Sequence, residues 1–154
     1  TFEEAKTVFK ELADLDIHSI EQPIKAGNIA EMAQLCAETP TPIALDEELI
    51  GVIDSTQKQK LLEQIKPQYI ILKPALVGGF SGSDEWISIA ENLGIGWWIT
   101  SALESNIGLN AIAQYTFTKH NPMPQGLGTG ALFTNNFESC LKLENDLLYY
   151  RKTV

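Results

Sequence analysis

Basic residues are scarce in this chain. Eleven Lys and Arg stand against twenty Asp and Glu, a formal net charge of −9, so a polyanionic nucleic-acid backbone is excluded as a natural partner. Long apolar runs are missing as well. None approaches the ~20 residues that a membrane span needs, and no secretory pattern opens the sequence. Cysteine is limited to Cys36 and Cys140, and histidine to His18 and His120. The two cysteines lack a paired-motif spacing and are expected as buried thiols in a reducing cytoplasm rather than as a disulfide. Neither histidine has a cysteine or a second histidine nearby, which sets zinc aside.

What remains is an ordinary globular composition, 154 residues with 44% apolar side chains, enough for one sizeable core. Thr1 and Glu4 form a capping box ahead of Phe2, Ala5, Val8, Phe9, Leu12 and Ala13, whose spacing predicts an amphipathic helix over 2–14. Further helices are expected from Asn28 to 38, from Ser55 to 64, over 84–93 ending at Gly94, and over 107–118. Between them, strands are expected over 17–22, 43–46, 69–73 and 95–101, with a short one near 125–130. Gly78-Gly79 and Ser81-Gly82-Ser83 read as a loop.

Alternating strands and helices imply an α/β fold with a parallel sheet. An eightfold α/β barrel takes about 250 residues. The chain is therefore either a small open sheet or one part of a barrel.

Three of the strands share a grammar. Ile20-Glu21, Leu45-Asp46 and Leu72-Lys73 each place a charge directly after apolar strand residues. Burying an unpaired charge there costs several kcal/mol, so such charges mark a metal, an ion pair or a catalytic role. Glu21 and Asp46, with a third carboxylate, would be hard oxygen ligands suited to Mg²⁺. Lys73 beside that cation would be repelled and left able to exchange protons near neutral pH. Spacing alone equally allows Glu21 and Lys73 to be a plain ion pair at a sheet edge.

The motifs Ile20-Glu21-Gln22-Pro23, Ala44-Leu45-Asp46-Glu47 and Leu72-Lys73-Pro74 with Gly78-Gly79 resemble the muconate-lactonising side of the enolase superfamily. Thr100-Ser101-Ala102-Leu103-Glu104-Ser105-Asn106-Ile107-Gly108 and Gly126-Leu127-Gly128-Thr129-Gly130 are most similar to its o-succinylbenzoate synthases of menaquinone biosynthesis. The resemblance runs from the first helix to about residue 135. It implies about strands 4–8 of a modified (β/α)7β barrel for residues 1–135, and a tail, 136–154, packing on the barrel or on an absent capping domain.

The resemblance further implies that Glu21 and Asp46 are the second and third ligands of Mg²⁺, with Mn²⁺ as a substitute. Lys73 would be the lysine beside the substrate ring or α-carbon. Ser101, Gly128 and Thr129 would hold the distal carboxylate of a small-molecule substrate, and Glu47 would support the third ligand. The implied reaction removes a proton α to a carboxylate, then expels water. The same scaffold also serves N-acylamino-acid racemases and dipeptide epimerases, and a non-catalytic half barrel for binding or assembly is a rival of another class. Against the epimerase, Gly126-Leu127-Gly128-Thr129-Gly130 stands where an acidic Asp-x-Asp is expected.

Two family features are missing from the expected strands. No Lys-x-Lys pair falls on a strand, and no Asp falls on a strand before Glu21. Glu104 reads as structural, satisfying N–H donors at a helix start. The expectation is a C-terminal part of a larger enzyme whose N-terminal half carries the principal base and the first metal ligand.

Overall fold

A computed structural model of the chain describes residues 1–152; the last two residues of the expected 136–154 tail lie outside the described residues. Helix α1 (Phe2–Leu12) opens on the capping box, Thr1 accepting from the Glu4 backbone, and tightens into a 3₁₀ turn at Ala13–Leu15. Strand β1 (Ile20–Glu21), α2 (Ile29–Glu38), β2 (Ile43–Leu45), α3 (Ser55–Ile65), β3 (Tyr69–Leu72), α4 (Gly79–Asn92), β4 (Gly96–Ile99) and α5 (Asn106–Phe117) follow in strict alternation. A hairpin of β5 (Leu141–Glu144) and β6 (Leu147–Tyr150) comes last.

The four strands are parallel and lie in the order β1-β2-β3-β4. A sheet that adds each strand beside the last, without reversal, is an arc of a barrel rather than a doubly wound sheet. A parallel bridge between Thr100 and Gly126 adds the stub of a fifth strand. Gly126 donates to Ile99 O at 2.8 Å and accepts from Ser101 N at 2.9 Å. Among the described residues the sheet does not close: β1 is hydrogen-bonded along one edge alone.

Register follows the two-residue period of the strands. Ile43, Leu45, Ile70, Leu72, Trp97 and Ile99 join one core with Phe9 of α1, Met32 and Leu35 of α2, Leu62 of α3, Trp86 of α4 and Ile112 of α5. The other face carries Ala44, Tyr69, Ile71 and Trp98, register partners across β2, β3 and β4. His18 lies at its edge, exposed, with its ring 4.7 Å from that of Tyr69.

Several boundaries differ from the sequence expectation. The strand expected over 17–22 shrinks to Ile20–Glu21, and it ends there because Gln22 turns into a left-handed conformation, φ 35°. Asp54, not Ser55, caps α3, accepting from Gln57 N at 2.9 Å. Asn28 stands at the N-cap of α2 but makes no side-chain capping bond. Helix α4 begins at Gly79, so Ser81-Gly82-Ser83 is helix and not loop. Gly82 is required there. A Cβ at that position would lie 2.3 Å from the Val77 carbonyl oxygen.

Candidate active site at the strand ends

The β2–β3 register and strand alternation bring the charged strand endings to one rim. Glu21 pairs with Ala44, two residues before Asp46, and Ala44 pairs with Tyr69, four residues before Lys73. All three therefore belong to the face opposite the helix-packed core. Lys73 Nζ donates to Asp46 Oδ2, with Asp46 at 1% exposure and Lys73 at 21%. The simple Glu21–Lys73 edge pair is thus not what forms; Lys73 chooses Asp46.

Glu21 is exposed at the rim, yet its carboxyl is pushed up to about 7. Partial desolvation is the largest cause, followed by a hydrogen bond with the Asp46 carboxyl and the negative charges of Asp46 and Glu47; Lys73 opposes them. Three carboxylates thus face one ammonium. That excess of negative potential, built from hard oxygen donors, fits a divalent cation such as Mg²⁺ or Mn²⁺. Glu21 and Asp46 would be its ligands here. Among the described residues no group of three His, Cys, Asp or Glu is arranged to hold a metal, so this set is partial.

Glu47 begins a 3₁₀ turn, Glu47–Leu49, and is exposed. Its neighbour Glu48 is the buried one, at 6% exposure. Glu48 Oε1 accepts from Gly27 N at 2.8 Å and Oε2 from Gln22 Nε2 at 3.1 Å. Nothing local in the sequence marks Glu48 or Gln22 as buried or engaged.

The other expected site residues cluster at the end of β4. Ser101 is buried, and its hydroxyl meets that of Thr129 and donates to Gly126 O. Gly128 lines a cavity of about 230 Å³ with Asn106, Leu109, Gly130, Lys142 and Leu143. Lys73, Asp46 and Glu21 do not line it. Ser101 and Thr129 are therefore brought together, with Gly128 next to Thr129 in the chain. Glu104 departs from its expected role at the α5 start: both its carboxylate oxygens are buried without a partner, while Asn136 Oδ1 accepts from Asn106 N at 2.7 Å.

One Lys-x-Lys spacing does occur in the chain, Lys58-Gln59-Lys60. It lies on α3, where Lys58 is buried against α4 and donates to Glu85 Oε2 at 2.8 Å and to Gly82 O at 3.2 Å. A helix-borne pair, with Lys58 tied into packing and Lys60 exposed, is not the strand-borne base that the resemblance implies.

Residues 1–145 match the enolase C-terminal domain-like family. The chain belongs to that family. It is 56% identical over 139 residues to an o-succinylbenzoate synthase of Desulfotalea psychrophila, 90% of this chain and 38% of that protein. Over 99 residues it is 34% identical to an N-succinylamino acid racemase of Thermus thermophilus, 64% of this chain and 26% of the relative. The crystal structure of MenC from Desulfotalea psychrophila superposes with a TM-score of 0.92 at 53% identity, over 96% of this chain and 41% of that one. The family member thus spans about two fifths of the first of these curated relatives. As for membranes, no helix among the described residues is long and apolar enough to cross one.

Proposed function

We propose that this chain forms the C-terminal part of a cytoplasmic o-succinylbenzoate synthase-like lyase and brings one side of its active site. The observation that carries the reading is the convergence of Glu21, Asp46 and Lys73 at one rim of a parallel arc, in a chain 56% identical to such a synthase. The substrate is 2-succinyl-6-hydroxy-2,4-cyclohexadiene-1-carboxylate. Its C–H bond α to the carboxylate breaks to give a proton, its C–OH bond breaks on the adjacent carbon, water leaves and the ring becomes aromatic.

Glu21 and Asp46 would hold a divalent cation, which when bound would stabilise the negative charge that develops on the substrate carboxylate. Lys73 presents its ammonium to the ring face, where it favours the electron-rich intermediate. Asp46 keeps that ammonium oriented through the contact described above. Ser101, Thr129 and the Gly128 turn hold the distal carboxylate, and Glu47 adds negative potential beside the ligands. The proton-accepting lysine pair and a further metal ligand come from strands beyond this arc, which the open edge of β1 supports.

A second reading, racemisation of an N-acylamino acid, uses the same residues and is favoured by the similarity to the Thermus racemase. There Lys73 would exchange a proton with the α-carbon. The test is turnover of both substrate types by the complete protein with Mg²⁺. Loss of the diene absorbance is expected with the cyclohexadiene carboxylate, and Lys73→Ala is expected to abolish it with the far-UV spectrum intact. Near-normal turnover in that variant rules out the role of Lys73. Turnover of N-succinylamino acids alone favours the second reading.

A further inference from the structure

Gln22 directly follows Glu21 and holds a backbone conformation that non-glycine residues avoid, φ 35°. Its side chain explains why. Oε1 accepts from Asp46 N at 3.1 Å and from Glu48 N at 3.3 Å, while Nε2 donates to Ile24 O at 3.0 Å and to Glu48 Oε2 at 3.1 Å. Both donors and both lone pairs of the amide are used. The opposite amide orientation would set an NH₂ against two backbone donors, so the network itself selects this one.

Two more observations meet at the same place. Asp46 lies outside the regular backbone regions, φ −126° and ψ −80°, at the point where β2 ends. Glu48 is buried with both oxygens engaged, one by Gln22 and one by the Gly27 backbone. A carboxylate so occupied is a support and not a further ligand. One amide thereby ties the residue after Glu21 to the backbone of Asp46, bridging positions 24 residues apart in sequence.

We propose that Gln22 and Glu48 are positioning residues that lock the ends of β1 and β2 so that the Glu21 and Asp46 carboxylates converge on one divalent cation. The inference rests on the reading above that those two carboxylates bind such a cation. Two ligands on separate strands need a fixed separation, and neither two-residue β1 nor three-residue β2 supplies much ladder to fix it. The Gln22–Glu48 bonds supply what the short ladder does not. Outer partners of metal ligands typically change affinity 10–100-fold when removed.

The probe is Mn²⁺ alone, titrated into the complete protein and followed by electron paramagnetic resonance. Gln22→Met keeps the side-chain length and removes all four bonds; Mn²⁺ affinity is expected to fall at least tenfold. Gln22→Glu combined with Glu48→Gln reverses the side-chain bond and retains acceptors for the Asp46, Glu48 and Gly27 N–H groups, losing only the bond donated to Ile24 O. That pair is expected to return affinity to within about threefold of wild type. A role limited to stability would move the melting temperature and leave Mn²⁺ affinity in place.

If wild type and Asp46→Asn bind Mn²⁺ equally poorly, the cation reading itself fails. If wild type binds, Asp46→Asn does not, and Gln22→Met binds as wild type does, the positioning inference alone is overturned. Should Gln22→Met not fold, Glu48→Gln alone decides: a loss of threefold or more is expected, and unchanged affinity overturns the inference.

Discussion

Lys73 Nζ donates to Asp46 Oδ2 between the ends of β3 and β2, with the aspartate enclosed and the lysine touching solvent. The cation of the pair is thus the member that meets solvent, and the anion is the member enclosed by the structure. Beside them the Glu21 carboxyl is pushed up to about 7, by desolvation first and then by the Asp46 carboxyl, with Lys73 opposing.

Removing that ammonium tests the balance. Lys73→Met leaves Asp46 buried without its partner and is expected to lower stability by about 1–3 kcal/mol, less than for a fully buried pair because Lys73 is partly hydrated. Millimolar Mg²⁺ is expected to recover most of the loss. Urea unfolding of the complete protein with and without Mg²⁺ measures both; a deficit that Mg²⁺ leaves untouched counts against cation binding at Glu21 and Asp46.

Lys58 gives a contrasting case. Its side chain is 1% exposed, against 47% for its partner Glu85, and its ammonium lies 5.5 Å from the Trp86 ring centroid. Lys58→Met fills the same space without a buried charge and frees Glu85 to water, so stability is expected within about 1 kcal/mol of wild type or above it. Lys58→Ala instead opens a cavity between α3 and α4 and is expected to cost about 2–4 kcal/mol. Equal losses in the two variants, read by chemical denaturation, would show that the ion pair and not the packing matters.

The thiol of Cys36 supplies a pH dependence. Burial raises it to about 12, partly offset by a backbone hydrogen bond. A thiol whose folded value exceeds its unfolded value of about 8.5 favours the folded state below the unfolded value. That advantage is lost as pH rises from there toward the folded one. Stability is therefore expected to fall between pH 9 and 11, and to fall less steeply in Cys36→Ala. In the native protein at pH 8, disulfide-exchange reagents are expected to label Cys36 only at the rate of unfolding. Immediate labelling would contradict its burial.

Parts of this architecture are legible in single stretches of chain. The capping box at Thr1 and Glu4 and the apolar spacing of α1 are local patterns, and the structure keeps both. The charged endings Glu21, Asp46 and Lys73 are local too, since a charge after an apolar strand residue needs no knowledge of the neighbouring strand. The β5–β6 hairpin has a local signal too, in Leu141, Leu143 and Leu147-Leu148, which suggest a last packing element with strand character. Asn145-Asp146 joins Leu141–Glu144 to Leu147–Tyr150, with φ of 47° and 65° at the two turn residues, the left-handed pair that tight hairpins favour.

Other features belong to no single stretch. Glycine permits loop and helix alike, so the start of α4 at Gly79 and the burial of Gly82 depend on where the Val77 carbonyl stands. The partnerless oxygens of Glu104 are likewise a matter of what surrounds them.

By itself the sequence determined the alternation of strands and helices, the residue types at three strand ends and the family to which the chain belongs. Only the tertiary structure decided that Lys73 pairs with Asp46 and not Glu21, that Glu48 rather than Glu47 is enclosed, and that Gln22 joins the ends of β1 and β2. The physical reason is range. Propensity and periodicity act over a few residues, whereas these choices are made by hydrogen bonds and charges meeting across 24 to 27 positions.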